Sequence, residues 1–187
     1  MALIVETGPI VAGAESYIST ADAPAYHSAR GNAAWAALAT LQQEIALRRA
    51  TDYMGGAYGA RWSGMRVSPL QALDWPRYDA YMPDGCTAYP STTVPELVRR
   101  ACAELALRFA VSGDLAPDIK PQAVSVKVGS IEKVYSQTAS QKVRYRAVDD
   151  LLAPVLGRLE ADGCVAEREV QELGRGVGVR KMAADLE

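Results

Sequence analysis

"TVPELVRRACAELALRFAVSGD", residues 93–114, carries the clearest secondary-structure signal in the chain. Thr93 is predicted to cap a helix, with Pro95 and Glu96 in its first turn and Gly113 just beyond its end. Its apolar side chains recur at helical spacing and form one core stripe: Val94, Leu97, Val98, Ala101, Cys102, Leu105 and Phe109. Because the end signals and the stripe agree, we predict that this is the central helix of the fold.

A second long helix is predicted upstream, over residues 32–56. It is either continuous or broken near Thr40, and Gly55 and Gly56 are expected to end it. Its apolar sector, placed at 100° per residue, holds Leu38, Leu41, Ile45, Ala46, Ala50, Tyr53 and Met54. Arg49 falls inside this sector, which is unusual for a charged residue, and we assign it a structural role.

A shorter helix is predicted before this one. Ser19, followed three residues later by Asp22, forms a capping-box pattern, so the helix should begin at Thr20. Gly31 should end it.

The stretch "QALDWPRYDAY", residues 71–81, allows three interpretations of its tryptophan: a base-stacking platform, a ligand cage or packing at a helix end. Ser68 and Pro69 predict a short helix that ends at Trp75, because the residue before a proline avoids helical dihedrals. Residues 77–93 then predict a long surface loop. We favour packing, and assign Trp75, Pro76, Arg77 and Arg49 to a structural anchor. Arg77 is expected to leave the core toward carboxylates or a neighbouring subunit.

The apolar period changes after the central helix. Valines alternate with polar residues around Gly129, which predicts a β-hairpin at about 123–136. Residues 148–160 predict a further helix, in which Pro154 makes a kink or the true start. The apolar content then falls. The sequence therefore predicts a mainly α protein, a small helical bundle with a β-hairpin insertion over residues 1–160, and an extended C-terminal tail over residues 161–187.

Composition limits the classes of function. The 187 residues are 49% hydrophobic and 22% charged, which is typical of a globular domain, and the net charge is −2. Such a chain attracts phosphate backbones only if its basic residues are sorted onto one face. Three cysteines without a CxxC pair predict reduced thiols. No signal peptide or membrane span is evident, so we expect a soluble protein made in the cytoplasm.

The sequence contains no set of residues for catalysis. Its single histidine, His27, has no activated nucleophile beside it, and no cluster has metal-ligand spacing. "GRGVGVRK", residues 174–181, lacks the spacing of a phosphate-binding loop. We therefore predict a non-enzyme without catalytic residues, metal or cofactor. Single-stranded DNA binding stays open, because aromatic side chains are available for base stacking.

Three stretches in a fixed order resemble a known family: "ALRRATDYMGGAYGARWSG" (46–64), "QALDWPR" (71–77) and "VPELVRRACAELALR" (94–108). The family comprises small tailed-bacteriophage proteins encoded among the head genes. Residues 13–38 and "VDDLLAPVL" (148–156) match the same pattern, so the resemblance covers about residues 1–157. Members are often labelled DnaT-like single-stranded-DNA-binding proteins. In gene context and architecture, however, the family resembles the head–tail connectors of long-tailed phages.

The resemblance implies a virion protein of the phage neck, made in the host bacterial cytoplasm. Its subunits would form a homo-oligomeric ring, usually of twelve, that binds the portal protein and the next neck or tail-completion protein. DNA would pass through the channel without sequence-specific binding. The C-terminal segment of such adaptors often reaches the portal, which makes Arg175, Arg180 and Lys181 candidate portal contacts. The alternative is a DnaT-like replication accessory protein that binds single-stranded DNA.

Overall fold

The computed structural model of the chain describes residues 2–117, 125–128, 131–134 and 144–157. These residues form five α-helices: α1 (Asp22–Ser28), α2 (Ala33–Ala36), α3 (Thr40–Tyr58), α4 (Glu96–Ser112) and α5 (Arg146–Leu152). They also form two antiparallel strand pairs, namely β1 (Met65–Arg66) with β2 (Arg77–Tyr78), and β3 (Ser125–Val128) with β4 (Ile131–Val134). The prediction of a mainly α fold with a β-hairpin is confirmed.

Helix α4 is the centre of the bundle, as its sequence predicted. Helices α1, α2, α3 and α5 all pack against it. Its buried residues are Val98, Ala101, Cys102, Ala103, Leu105 and Ala106. Gly113 ends the helix with φ +79°, a left-handed conformation that glycine adopts without a steric penalty. Thr93 does not cap the helix, since Pro95 is the residue before its first turn and makes no side-chain capping bond.

Helix α3 buries part of the predicted sector, namely Ala46, Ala50 and Met54, together with residues outside it. Leu41 and Ile45 are exposed, whereas Leu47 and Thr51 are buried against the rest of the core. Thr51 tolerates burial because its hydroxyl donates to the Leu47 carbonyl at 3.0 Å. The hydrophobic pattern therefore identified the buried face of α3 only in part.

The C-terminal boundary of α3 differs from the prediction, whereas the break predicted as an alternative near Thr40 is present. The helix continues through Gly55 and Gly56 to Tyr58, and a 3₁₀ turn, Gly59–Arg61, follows. Upstream, the predicted helix is divided into α2 and α3 before Thr40.

Helix α1 begins at Asp22, two residues after the predicted start. The Ser19 hydroxyl accepts the Asp22 amide at 3.0 Å and donates to the Asp22 carboxylate at 2.8 Å. The Ser19–Asp22 pair thus forms as predicted, and only the boundary differs. Gly31 follows the helix with φ +69°.

Residues 69–75 do not form the predicted helix. The Gln71 side-chain Nε2 donates to the Leu73 and Pro76 carbonyls at 2.7 and 3.0 Å, and its Oε1 accepts the Ser68 amide at 2.9 Å. These bonds hold the backbone in turns instead of a helix. The Trp75–Pro76 peptide bond is cis.

The segment that follows is more ordered than the predicted surface loop. Met65 pairs with Tyr78 and Arg66 with Arg77, and a further bridge joins Tyr81 to Ala88.

The C-terminal third agrees in part with its prediction. Strands β3 and β4 lie within the predicted hairpin, whereas α5 ends at Leu152 and passes into a 3₁₀ turn, Ala153–Val155. The proposed domain boundary at residue 160 and the tail, residues 161–187, lie outside the described residues. Cys102 is a free thiol, but Cys86 takes part in a disulfide, so the prediction of reduced thiols is wrong for Cys86.

Candidate functional site

The segment around Trp75 is fastened to the bundle through its backbone and its ring. The Tyr17 hydroxyl accepts the amides of Asp74 and Trp75 at 3.0 and 3.4 Å. Burial raises the pKa of this hydroxyl well above its ordinary value, so Tyr17 stays neutral. The Trp75 ring is fully buried. Residues Trp75, Pro76 and Arg77 thus lie together at the edge of the core.

Arg77 is buried and forms no ion pair with a carboxylate of the described residues, contrary to the expectation that it would leave the core. Its Nε donates to the Ser63 carbonyl at 2.7 Å, and its Nη2 donates to the Gly64 carbonyl at 2.6 Å. A longer bond, 3.3 Å, joins Nη1 to the Asp74 carbonyl. Burial lowers the pKa of the guanidinium. Arg77, at the start of β2, therefore holds the loop before β1 close to that strand.

All three tryptophan side chains pack inside the protein. Trp35, Trp62 and Trp75 are buried. Trp62 and Trp75 meet edge to face with centroids 6.0 Å apart, and Trp75 meets Tyr89 in the same way at 6.1 Å. The Trp62 Nε1 donates to the Asp74 carboxylate at 3.1 Å. None of these rings is available as a base-stacking platform.

Most arginines of the long helices are paired with carboxylates. Arg48 contacts Glu15 and Glu44, and Arg108 contacts Glu104 at 2.7 Å. Two further residues form ion pairs near the start of α4, namely Arg99 with Asp22 and Glu96, and Arg100 with Glu96. The helical part of the structure therefore presents mixed charge rather than a continuous basic track.

Most exposed large apolar side chains of the described residues fall into two groups, which we call patches; Ile4 and Val111 are exposed outside them. We define the α3 patch as Leu41 and Ile45, which are one turn apart. The β1–β2 patch consists of Met65, Val67, Leu70 and Tyr78, and Leu70 is 91% exposed. Exposed apolar residues concentrated in this way are typical of protein contact surfaces.

A groove of about 760 Å³ opens between α3 and the C-terminal end of α4. Its apolar lining includes Tyr53, Ala57, Phe109 and Leu115. We call it the α3–α4 groove. Three exposed charged residues, Arg49, Asp52 and Asp114, also line it.

The predicted site residues are placed as follows. Trp75, Pro76 and Arg77 are neighbours in the core, whereas Arg49 is exposed on the groove and lies apart from them. Arg175, Arg180 and Lys181 lie outside the described residues. The two apolar patches and the groove were not predicted. Exposure of Leu70, next to Pro69 in a turn, is the one feature that turn signals could have indicated.

His27 is a core residue rather than a surface one. Its ring lies 4.5 Å from that of Trp35, and Nδ1 is 3.1 Å from the Asn32 amide nitrogen. Burial lowers the pKa of the imidazole. In the described part of the chain, no three histidine, cysteine or carboxylate side chains lie close enough to hold a metal ion. No described helix is both long and apolar enough for a membrane span.

Comparison with known proteins gives one match. A family model described as "Putative DnaT-like ssDNA binding protein" matches residues 1–170. Searches of curated proteins and of solved structures found no match. The matched range includes α1 to α5, both apolar patches and the groove. The chain therefore belongs to this family of DnaT-like proteins.

Proposed function

We propose that the protein is a structural component of a phage neck, a ring subunit that joins the portal to the next neck or tail-completion protein. One observation carries this proposal: the tryptophans are buried, while the most exposed large hydrophobic side chains are aliphatic. A surface with this distribution suits contacts between proteins better than contacts with bases.

The positions of the two patches support a ring. Helix α3 has 19 residues, which corresponds to a length of about 28 Å. The α3 patch lies in its first turns, and the β1–β2 patch follows its C-terminal end in the chain. Subunits of a closed ring need two different lateral faces, because each interface is heterologous. The β1–β2 patch and the α3–α4 groove are two different surfaces and are the candidates for these faces.

Charge also supports a conduit for DNA. The net charge is −2, and the arginines of α3 and α4 that form ion pairs are balanced by carboxylates. Binding to DNA gains affinity from counterions that basic residues release. A ring with little surplus positive charge would let DNA slide through without holding it.

Single-stranded DNA binding is the second candidate, and the family's description favours it. Tyr78 is the most exposed of the described tyrosines, and Arg66 lies on the strand that pairs with it. Base stacking contributes about 1–3 kcal/mol per base where a basic track holds the backbone. This candidate would therefore depend on Tyr78 and Arg66.

Two measurements on the full chain separate the candidates. Fluorescence anisotropy with a labelled oligonucleotide is made at two salt concentrations, for the wild type and for Tyr78→Ala. Copurification with the portal protein of the same phage is made for the wild type and for the triple variant R175A/R180A/K181A.

The neck proposal expects portal copurification that the triple variant weakens, and no submicromolar oligonucleotide binding. Submicromolar binding with a steep salt dependence, reduced by Tyr78→Ala, would establish the second candidate instead. Portal binding unchanged in the triple variant would remove the tail residues from the proposal.

A further inference from the structure

Hydrogen bonds within residues 66–76 hold the backbone that carries Leu70 of the β1–β2 patch. Leu70 lies in a turn where the Ser68 hydroxyl accepts its amide at 3.2 Å. Arg66 Nη2 donates to the Gln71 and Leu73 carbonyls. Gln71 itself is buried and bonded to Leu73 and Pro76. A rigid exposed apolar residue loses little conformational entropy when it docks, so the patch is preorganised for a contact.

The α3–α4 groove is a receptor of suitable chemistry on the same chain. Tyr53, Phe109 and Leu115 supply aromatic and aliphatic surface, and the volume of about 760 Å³ holds several side chains. Pockets of this size lined by apolar residues are typical binding sites.

The patch and the groove lie on different sides of α3. A Cβ atom added to Gly55 or Gly59 would lie 3.8 or 3.5 Å from the Asp74 carboxylate. These two glycines therefore mark the side of α3 that faces residues 71–75. The groove residues Tyr53 and Ala57 lie roughly 160° around the helix axis from that side, at about 100° per residue. A patch bound to the groove of another copy therefore makes a head-to-tail contact, as a ring requires.

Charges at the rims are complementary. Asp52 and Asp114 line the groove and form no ion pair within the described residues, and Arg49 lies beside them. The patch carries Arg66, and Asp79 follows Tyr78 directly. Opposite charges that meet across a rim favour one register of docking over others.

We propose that the β1–β2 patch of one copy docks into the α3–α4 groove of the next. This inference rests on the proposed ring, and it names the surfaces that build it. The occupant of the groove is thus a second copy of the same chain.

The test uses the full chain with one defect per variant. Leu70→Asp disables the patch, and Ala57→Lys disables the groove at an exposed helical position. Val111→Asp, at a side chain 72% exposed, and Ala60→Lys are the matched controls. Sedimentation velocity measures assembly alone and with portal, and circular dichroism checks the folding of each variant. Leu70→Ser replaces Leu70→Asp if the charge impairs folding.

We expect Leu70→Asp and Ala57→Lys each to raise the dissociation constant of self-association at least about thirtyfold, as loss of a hot-spot side chain does. The controls should assemble like the wild type. An equimolar mixture of the two defective variants should form a two-subunit species, since one intact patch and one intact groove remain.

Three outcomes would overturn the inference. Defective variants that assemble normally would reject these surfaces and leave the proposed ring intact. A mixture that stays monomeric would show that patch and groove bind different partners, such as portal. A wild type that assembles neither alone nor with portal would reject the ring itself, and the inference with it.

Discussion

Replacement of Trp75 by alanine tests whether the Trp-Pro-Arg segment is a structural anchor. The ring is fully buried and packs edge to face on Trp62 and Tyr89. Truncation of a buried tryptophan costs about 3–5 kcal/mol, and edge-to-face pairs add stabilisation beyond area burial. The indole Nε1 has no hydrogen-bond partner within the described structure, so its removal leaves no protein group unpaired. We therefore expect a loss of about 4 kcal/mol.

This loss is large against the total stability of a domain, about 5–15 kcal/mol. With a urea m-value of about 2 kcal/mol per molar, the unfolding midpoint should fall by about 2 M. Far-UV circular dichroism is the suitable probe, because the substitution changes tryptophan fluorescence. Leu70→Ala is the control, and should change stability by no more than about 0.5 kcal/mol.

Two results would contradict a structural role for the Trp75 ring. If Trp75→Ala unfolds at the wild-type urea concentration and loses only DNA binding, the ring is a recognition element and not a core residue. A midpoint shift below about 0.5 M, with the slope unchanged, would refute the packing argument as well.

Two further predictions concern buried polar residues. Arg77→Lys should lower the free energy of unfolding by about 2 kcal/mol, because a single ammonium cannot serve the Ser63 and Gly64 carbonyls as the guanidinium does; wild-type stability in urea would contradict this. Burial lowers the pKa of His27 below its ordinary 6.5, with Glu104 and Arg30 as the charged groups near it. The unfolded state then binds more protons, so stability is full above pH 6.5 and falls as the pH drops through the folded pKa, by at most about 1.4 kcal/mol per pH unit. His27→Gln should remove this dependence, and equal slopes for both proteins between pH 6.5 and 5 would rule it out.

Helix existence could be predicted wherever local signals agree. In α4, the apolar stripe, the first-turn Pro95–Glu96 pair and Gly113 all indicated one helix, and the structure has it. The period-2 pattern likewise located the hairpin of β3 and β4. These features depend on residues close in the chain, and so they appear in the sequence itself.

The Trp-Pro-Arg segment shows where local signals fail. Ser68 and Pro69 are helix-start signals, but Gln71 and the Tyr17 hydroxyl take up backbone groups of residues 68–76. Tyr17 is more than fifty residues away in the chain, so no local pattern could reveal that contact. Local bonds from Gln71 and the non-local bonds to Tyr17 together outweighed helix propensity at this point.

Local patterns were enough to predict a mainly α chain with α4 at its centre, and they contained no recognisable catalytic motif. The packing of α3 on the rest of the bundle leaves Leu41 and Ile45 exposed and buries Thr51, which the local pattern did not predict. Only the tertiary structure decided that Arg77 binds carbonyls and that Leu70 stands outside the core. The physical reason is that side-chain hydrophobicity sets what can be buried, whereas the packing of distant segments sets which of those side chains is buried and which is left for a partner.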